Sequence, residues 1–308
     1  MLRALALRLG SAAGVIIGVS ALVFVLTHVI PGDPVEVMLG ERASGADRAA
    51  LAAAHGLDRP LRQQLVDYYA GLLRLDLGTS LHQDRAVTTL LAERLPATLE
   101  LTAAALAVAV LLALPLGLLG ALRPGSAADH AASGFSLLGL SVPNFWLGPL
   151  LILAFSLQAG WFPVSGREGP ASLVLPALTL GTALAAILTR MLRASLLEVL
   201  GQDHLRTARA KGLSPRRVIG VHALRAAALP LLTVLGLQLG GLLGGAVITE
   251  TVFAWPGLGT LTIEAIQRRD YPVIQGCVLL ITVTFVVVNL LTDWAYVLAD
   301  PRIRGAAA

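Results

Sequence analysis

Charge is scarce in this chain. Only 14% of its 308 residues are charged, against about 25% in a soluble domain, while 56% are hydrophobic. That balance excludes an ordinary soluble fold and marks an integral membrane protein. Cysteine is nearly absent: Cys277 stands alone in an apolar run, and one thiol makes neither an internal disulfide nor a metal cluster. Six histidines are scattered without ligand spacing. The net charge of +4 is too small to point to nucleic acid. There is no GxxxxGK phosphate loop and no HExxH run, so ATP binding by that route and zincin chemistry are not expected. The apolar segments carry no charge at mid-depth, which argues against a proton carrier with a buried carboxylate relay. Asp293 comes nearest, and its place toward the end of the last segment reads as packing or capping. No serine is paired with a histidine at matching depth, which leaves an intramembrane enzyme as the weaker alternative.

What is present is apolar chain in long pieces. Segments 10–30, 97–119, 131–157, 173–192, 231–247 and 273–298 are each long enough for a spanning helix or nearly so. The expected fold class is therefore an all-α membrane protein with six transmembrane helices. The first segment is read as an uncleaved span, closed by Pro31-Gly32-Asp33-Pro34. Pro143 and Asn144 interrupt the third, where a kink or a packed polar contact is expected. Gly236, Gly240 and Gly244 recur every four residues in the fifth and would allow close helix packing. Arg3, Arg8, Arg123, the cations of 190–225, Arg302 and Arg304 fall on one side. The short loops opposite hold only Arg167, Arg268 and Arg269. Both termini are then cytoplasmic, and the long 31–95 stretch lies outside. The chain divides into 1–30 with the first span, an extracytoplasmic region over 31–95, and a five-helix core over 96–304. Glu100, near the start of the second span, is expected at the membrane boundary or facing the bundle interior.

The core is interrupted by a polar block at 201–230. Arg206, Arg209, Lys211, Arg216, Arg217 and Arg225 face a single acid there, Asp203. The block reads as helix, break, helix: Asp203 to Lys211, then Gly212-Leu213-Ser214-Pro215, then Arg216 to Ala228. Ser214 is placed to cap the second helix, with Pro215 at its first position. A glycine-linked helix pair projecting from between two spans suits mechanical coupling to a partner's cleft. An ordinary basic cytoplasmic loop has the same composition, and the residues alone leave both readings open.

Several runs, in order, resemble the permease subunits of bacterial ABC importers for dipeptides and oligopeptides, a family that includes nickel and glutathione transporters. They are Pro31 to Pro34, Gly56-Leu57-Asp58, Asp76-Leu77-Gly78, and Leu95-Pro96-Ala97-Thr98-Leu99-Glu100-Leu101. Next come Thr207-Ala208-Arg209-Ala210-Lys211-Gly212-Leu213 and His222-Ala223-Leu224-Arg225 with Pro230. The last are Glu250-Thr251-Val252-Phe253-Ala254-Trp255-Pro256-Gly257-Leu258-Gly259 and Arg269-Asp270-Tyr271-Pro272. Thr207 stands where the general coupling motif has glutamate, the form usual in the peptide branch. The resemblance implies the type I ABC importer permease fold in the bacterial inner membrane, with lipid around it. It implies a second homologous permease subunit, two ATP-binding subunits and an extracytoplasmic substrate-binding protein as partners. ATP and Mg would be bound by the ATPase partners, with no cofactor and no catalysis in this chain. Asp203, Arg206, Thr207, Ala208, Arg209, Ala210, Lys211, Gly212, Leu213 and Arg216 would form the ATPase-coupling surface. Glu250, Phe253, Trp255 and Pro256 would touch the pathway or pack the outer loop. The external 31–95 region would contact the binding protein or simply cap the helices. A short peptide is the expected cargo, with nickel or glutathione as alternatives.

Overall fold

A computed structural model describes residues 2–299 apart from 30, 31, 33 and 40–43. Pro31, Asp33, Arg302 and Arg304 of the sequence reading lie outside the described residues, as do the side chains of Arg3 and Asp293. Helices account for nearly all described regular structure. In order they are α1 (Leu2–Val29), α2 (Pro34–Leu39), α3 (Gly45–Ala54), α4 (Leu61–Leu73), α5 (Val87–Leu122), α6 (Ala127–Ser141) and α7 (Asn144–Leu151). Then follow α8 (Pro170–Leu200), α9 (Asp203–Ala210), α10 (Pro215–Arg217), α11 (Leu224–Val252), α12 (Leu258–Arg268) and α13 (Tyr271–Ala299). π-helical turns extend α7 over Ile152–Gln158 and join α10 to α11 over Val218–Ala223. One isolated antiparallel bridge pairs Thr79 with Ala86.

Four stretches are long and apolar enough to cross a membrane alone: Gly10–Val29, Val87–Leu122, Pro170–Leu200 and Tyr271–Thr292. Two further pairs are bent. Ala127–Ser141 meets Asn144–Gln158 at 105°, and Pro215–Ala228 meets Pro230–Leu242 at 52°. The sequence expected six spans; the structure has four plain ones and reaches six where each bent pair counts as one. The cause is proline. Val142 and Pro143 are both extended, with ψ of 113° and 143°, so the chain turns before α7 starts. Pro230 lacks the N–H that a straight α11 needs. Boundaries moved for related reasons. α5 begins at Val87, well before Pro96, and α8 runs on to Leu200 because no breaker precedes Gly201.

Leu99–Trp255 and the described residues from 287 to 299 pack as one compact unit. Its centre is α8, which buries Leu175, Leu180, Leu184, Leu188, Leu192 and Leu196. Helix axes approach closely where glycine removes a side chain. A Cβ on Gly181 would lie 2.6 Å from the Ala105 carbonyl oxygen of α5, and one on Gly139 of α6 2.7 Å from the Ala186 Cβ. Gly236 meets Thr292 in the same way, whereas nothing lies within 4 Å of Gly244. The glycine spacing of α11 therefore serves helix packing at its first position.

Leu2–Thr98 and Pro256–Val286 form the other unit. Its core joins Val87, Leu90 and Leu91 of α5, Leu258, Leu261 and Ala265 of α12, and Val273 and Cys277 of α13. α4 lies along α1. The Tyr69 hydroxyl donates to the Ile17 carbonyl at 3.1 Å, more than three helical turns before α1 ends. Tyr68 stacks near Phe24 at 5.8 Å, and burial, then its neighbour Tyr69, pushes its hydroxyl up to about 12. It stays protonated throughout the physiological range.

Candidate functional site

The 201–230 block folds as the sequence implies, and the structure adds how it is held. α9 is two-faced. Leu205 is 0% exposed and Ala208 is buried, in one cluster with Ala121 of α5, Leu192, Leu196 and Val199 of α8, and Val218, Ala223 and Ala227 beyond the turn. Arg206, Arg209, Lys211, Arg216, Arg217 and Arg225 are all exposed. Asp203, Thr207, Ala210 and Gly212 share the exposed side, and Leu213 is half-buried against the same core. Arg206 pairs with Asp203 at 3.2 Å, but both are so exposed that the pair contributes little.

Gly212 ends α9. Its φ is +78°, the Gly212 N–H donates to Arg209 O at 2.9 Å, and the Leu213 N–H donates to Ala208 O at 3.3 Å. That double bond with a left-handed residue is a Schellman cap, and glycine adopts it without a Cβ penalty. Ser214 has the extended backbone of an N-cap, with Pro215 following, but its hydroxyl makes no capping bond. The helix pair is thus one amphipathic body, apolar against α8 and cationic toward water.

The signature around 250–259 divides between burial and capping. Glu250 and Trp255 are 0% exposed and Phe253 is buried beside Gly148. Ala254 takes φ +46°, with Trp255 N–H donating to Glu250 O at 2.8 Å and Ala254 N–H to Thr251 O at 3.3 Å, the same cap built on alanine. Pro256 is half-buried. Sequence reasoning missed what covers Trp255. Arg167 lies 5.7 Å above its ring and donates through Nε and Nη2 to Glu100 Oε2 at 2.8 and 2.6 Å. The neighbouring Gly166 N–H donates to Phe253 O at 2.9 Å. Glu100 and Arg167 are 41% and 38% exposed, so the pair lies at the surface of this chain while fastening the segment after α11.

The other unit has its own hub at 268–272. Ser80 Oγ donates to Asp270 Oδ2 at 2.5 Å, and the Leu81 N–H donates to Oδ1 at 3.1 Å. His82 Nε2 donates to Arg268 O at 2.6 Å, and the Tyr271 hydroxyl donates to Gly32 O at 3.3 Å. The Arg269 guanidinium occupies the space where a Gly32 side chain would stand. Thr98 Oγ1 accepts from the Leu258 N–H at 2.8 Å. Runs that lie far apart in sequence, 76–81 and 268–272, or 98 and 258, therefore meet in space. Among the described residues no group of three or more His, Cys, Asp and Glu is placed to hold a metal ion.

Comparison with known proteins agrees with this architecture. The family described as binding-protein-dependent transport system inner membrane component matches residues 113–305, and the description of its N-terminal part matches 1–102. The dipeptide transport system permease protein DppB of Escherichia coli (strain K12) is 45% identical over 336 residues, covering 99% of each chain. The glutathione transport system permease protein GsiC of Pectobacterium atrosepticum is 42% identical over 286 residues, covering 93% of this chain and 94% of that one. A solved inward-facing form of the MetNI methionine ABC transporter has a TM-score of 0.57 at 22% identity, over 68% of this chain and 96% of that one. It speaks to the fold alone: an all-α, multi-pass permease of the ABC importer kind. With both family descriptions matched along nearly the whole length, the chain belongs to the inner-membrane permease subunits of the bacterial peptide, nickel and glutathione ABC importers.

Proposed function

We propose that this chain forms half of the translocation pathway of an ATP-driven importer for short peptides. The observation that carries the reading is the two-faced 201–230 block. One face is sunk into α8 through Leu205, Ala208 and Val218, and the other offers six exposed cations. A body so held cannot move without moving α8 and α11, and its cationic face complements an acidic cleft. The partner is an ATP-binding subunit, one of two, which binds ATP and Mg and performs the hydrolysis. A second permease subunit completes the pathway, and an extracytoplasmic protein delivers the cargo. In this arrangement each bent pair crosses as one span, giving six, with both termini and the 201–230 block cytoplasmic and 31–95 outside. Glu250, Phe253 and Trp255, capped by Arg167 and Glu100, hold the outer end of α11 and shift when the pathway opens outward; Pro256 leads the chain away.

Peptide cargo is supported by the 45% identity to a dipeptide permease along the full chain. Glutathione, itself a short peptide, is the second reading, supported by the 42% identity to GsiC. The test is reconstitution of the complete complex with its binding protein in liposomes. ATP-dependent uptake of a labelled dipeptide, outcompeting glutathione and nickel, is expected. Uptake of glutathione or nickel in its place, or uptake indifferent to ATP, overturns the peptide assignment.

A further inference from the structure

Asp129 sits where a short loop begins α6, and it is fully engaged. Arg193 of α8 donates through Nε to Oδ1 at 2.5 Å and through Nη2 to Oδ2 at 2.8 Å. The Gly125 N–H donates to Oδ2 at 2.9 Å. The Asp129 side chain is only 8% exposed. Its own N–H is accepted by Ser126 Oγ at 3.3 Å, so Ser126 caps the N-terminus of α6 at the same residue. A two-pronged guanidinium bond fixes orientation as well as distance.

The place of this clasp matters more than its strength. Arg193 follows Leu192 and precedes Leu196, two of the three α8 residues that share the buried cluster with Leu205 and Ala208. The end of α5 closes the same node: a Cβ on Gly117 would stand 2.8 Å from the Leu192 side chain, and one on Gly120 would stand 3.3 Å from Arg193 Cδ and from Ala132 Cβ of α6. So the last turns of α5, the first turn of α6 and the stem of α8 meet at one polar bond on the rim of the coupling core. Next to that core, Leu188, Leu192, Leu224 and Leu231 border an apolar cavity of about 280 Å³, which Val110, Ala113 and Leu114 of α5 also line. The stem thus borders free volume at Leu192 and carries a fixed two-pronged bond at the next residue, Arg193.

We propose that Asp129 and Arg193 are positioning residues for coupling, a clasp that makes α5 and α6 follow α8 when the 201–230 block is displaced. Without it the block would move α8 and α11 alone, and the free volume would absorb part of the stroke. The proposal rests on the importer reading above. Its test is the number of ATP molecules hydrolysed per peptide imported by the complete complex in liposomes. Asp129→Asn keeps the shape and the bond from Gly125 but loses the charge. Arg193→Gln loses both prongs, and Arg193→Lys keeps the charge with one prong. In Asp129→Asn and Arg193→Gln the ratio is expected to rise about fivefold or more, the scale of ordinary allosteric coupling. Hydrolysis itself would stay near that of the unchanged complex, and Arg193→Lys would fall between. An unchanged ratio in both variants overturns the proposal. So does loss of the assembled complex in all three, which would make the pair a plain folding contact. Failure of the unchanged complex to import peptide would sink the importer reading instead, so the two failures are distinguishable.

Discussion

At the scale of single residues, the site is governed by which side chains are buried and which backbone positions need a left-handed turn. Leu205 is the apolar peg of α9. Leu205→Ala should destabilise docking of the block by about 2–5 kcal/mol, the range for large-to-small core changes. Faster amide exchange over 203–228 would report it, and unchanged protection would show that the peg carries no weight. Gly212 and Ala254 occupy equivalent cap positions with φ of +78° and +46°. Gly212→Val meets no neighbour within 4 Å, so its cost is backbone alone, roughly 1–2 kcal/mol. It should leave the protein in the membrane and uncouple transport from hydrolysis, while Gly212→Asn should be far milder. Normal uptake by Gly212→Val contradicts the coupling role. Ala254→Gly runs the other way, relieving strain at the end of α11, and should raise the thermal midpoint of the complex.

At the scale of elements, much was legible in the sequence and the remainder has physical causes. The helix, break and helix of 201–230 could be read because Gly212 and Ser214-Pro215 are strong local signals. The bend at Pro143 was readable for the same reason, but its 105° was not, since proline marks a break without setting an angle. Helix ends were the weakest part. α5 absorbs Pro96 and begins at Val87, because its first turns pack against Leu258 and Val273 rather than lipid. The pairs Glu100–Arg167, Asp129–Arg193 and Ser80–Asp270 span 67, 64 and 190 residues, and no local pattern announces such partners. Only the Ser-x-x-Asp spacing of Ser126 and Asp129, a helix-start pattern, could have drawn attention to Asp129. The Asp270 hub is testable as an element. Asp270→Ala removes the acceptor of both the Ser80 hydroxyl and the Leu81 N–H. The 79–86 loop should then become sensitive to limited proteolysis, with uptake reduced; a loop that stays resistant would show it is held by its other contacts.

At the scale of the whole molecule, the proposed function is that of a passive conduit that takes its work from a partner. Orientation follows. A cysteine placed at Lys211 should react with membrane-impermeant maleimide only from inside, and one at Arg62 of α4 only from outside, the native Cys277 being buried. Equal labelling from both sides would refute the six-span arrangement. The importer assembly is tested by tagging this chain, extracting it gently from its native membrane and identifying its stoichiometric companions by mass spectrometry. Two ATP-binding chains and a second, homologous permease are expected. Recovery of the chain alone, under conditions that keep a known complex of similar size intact, would contradict that assembly.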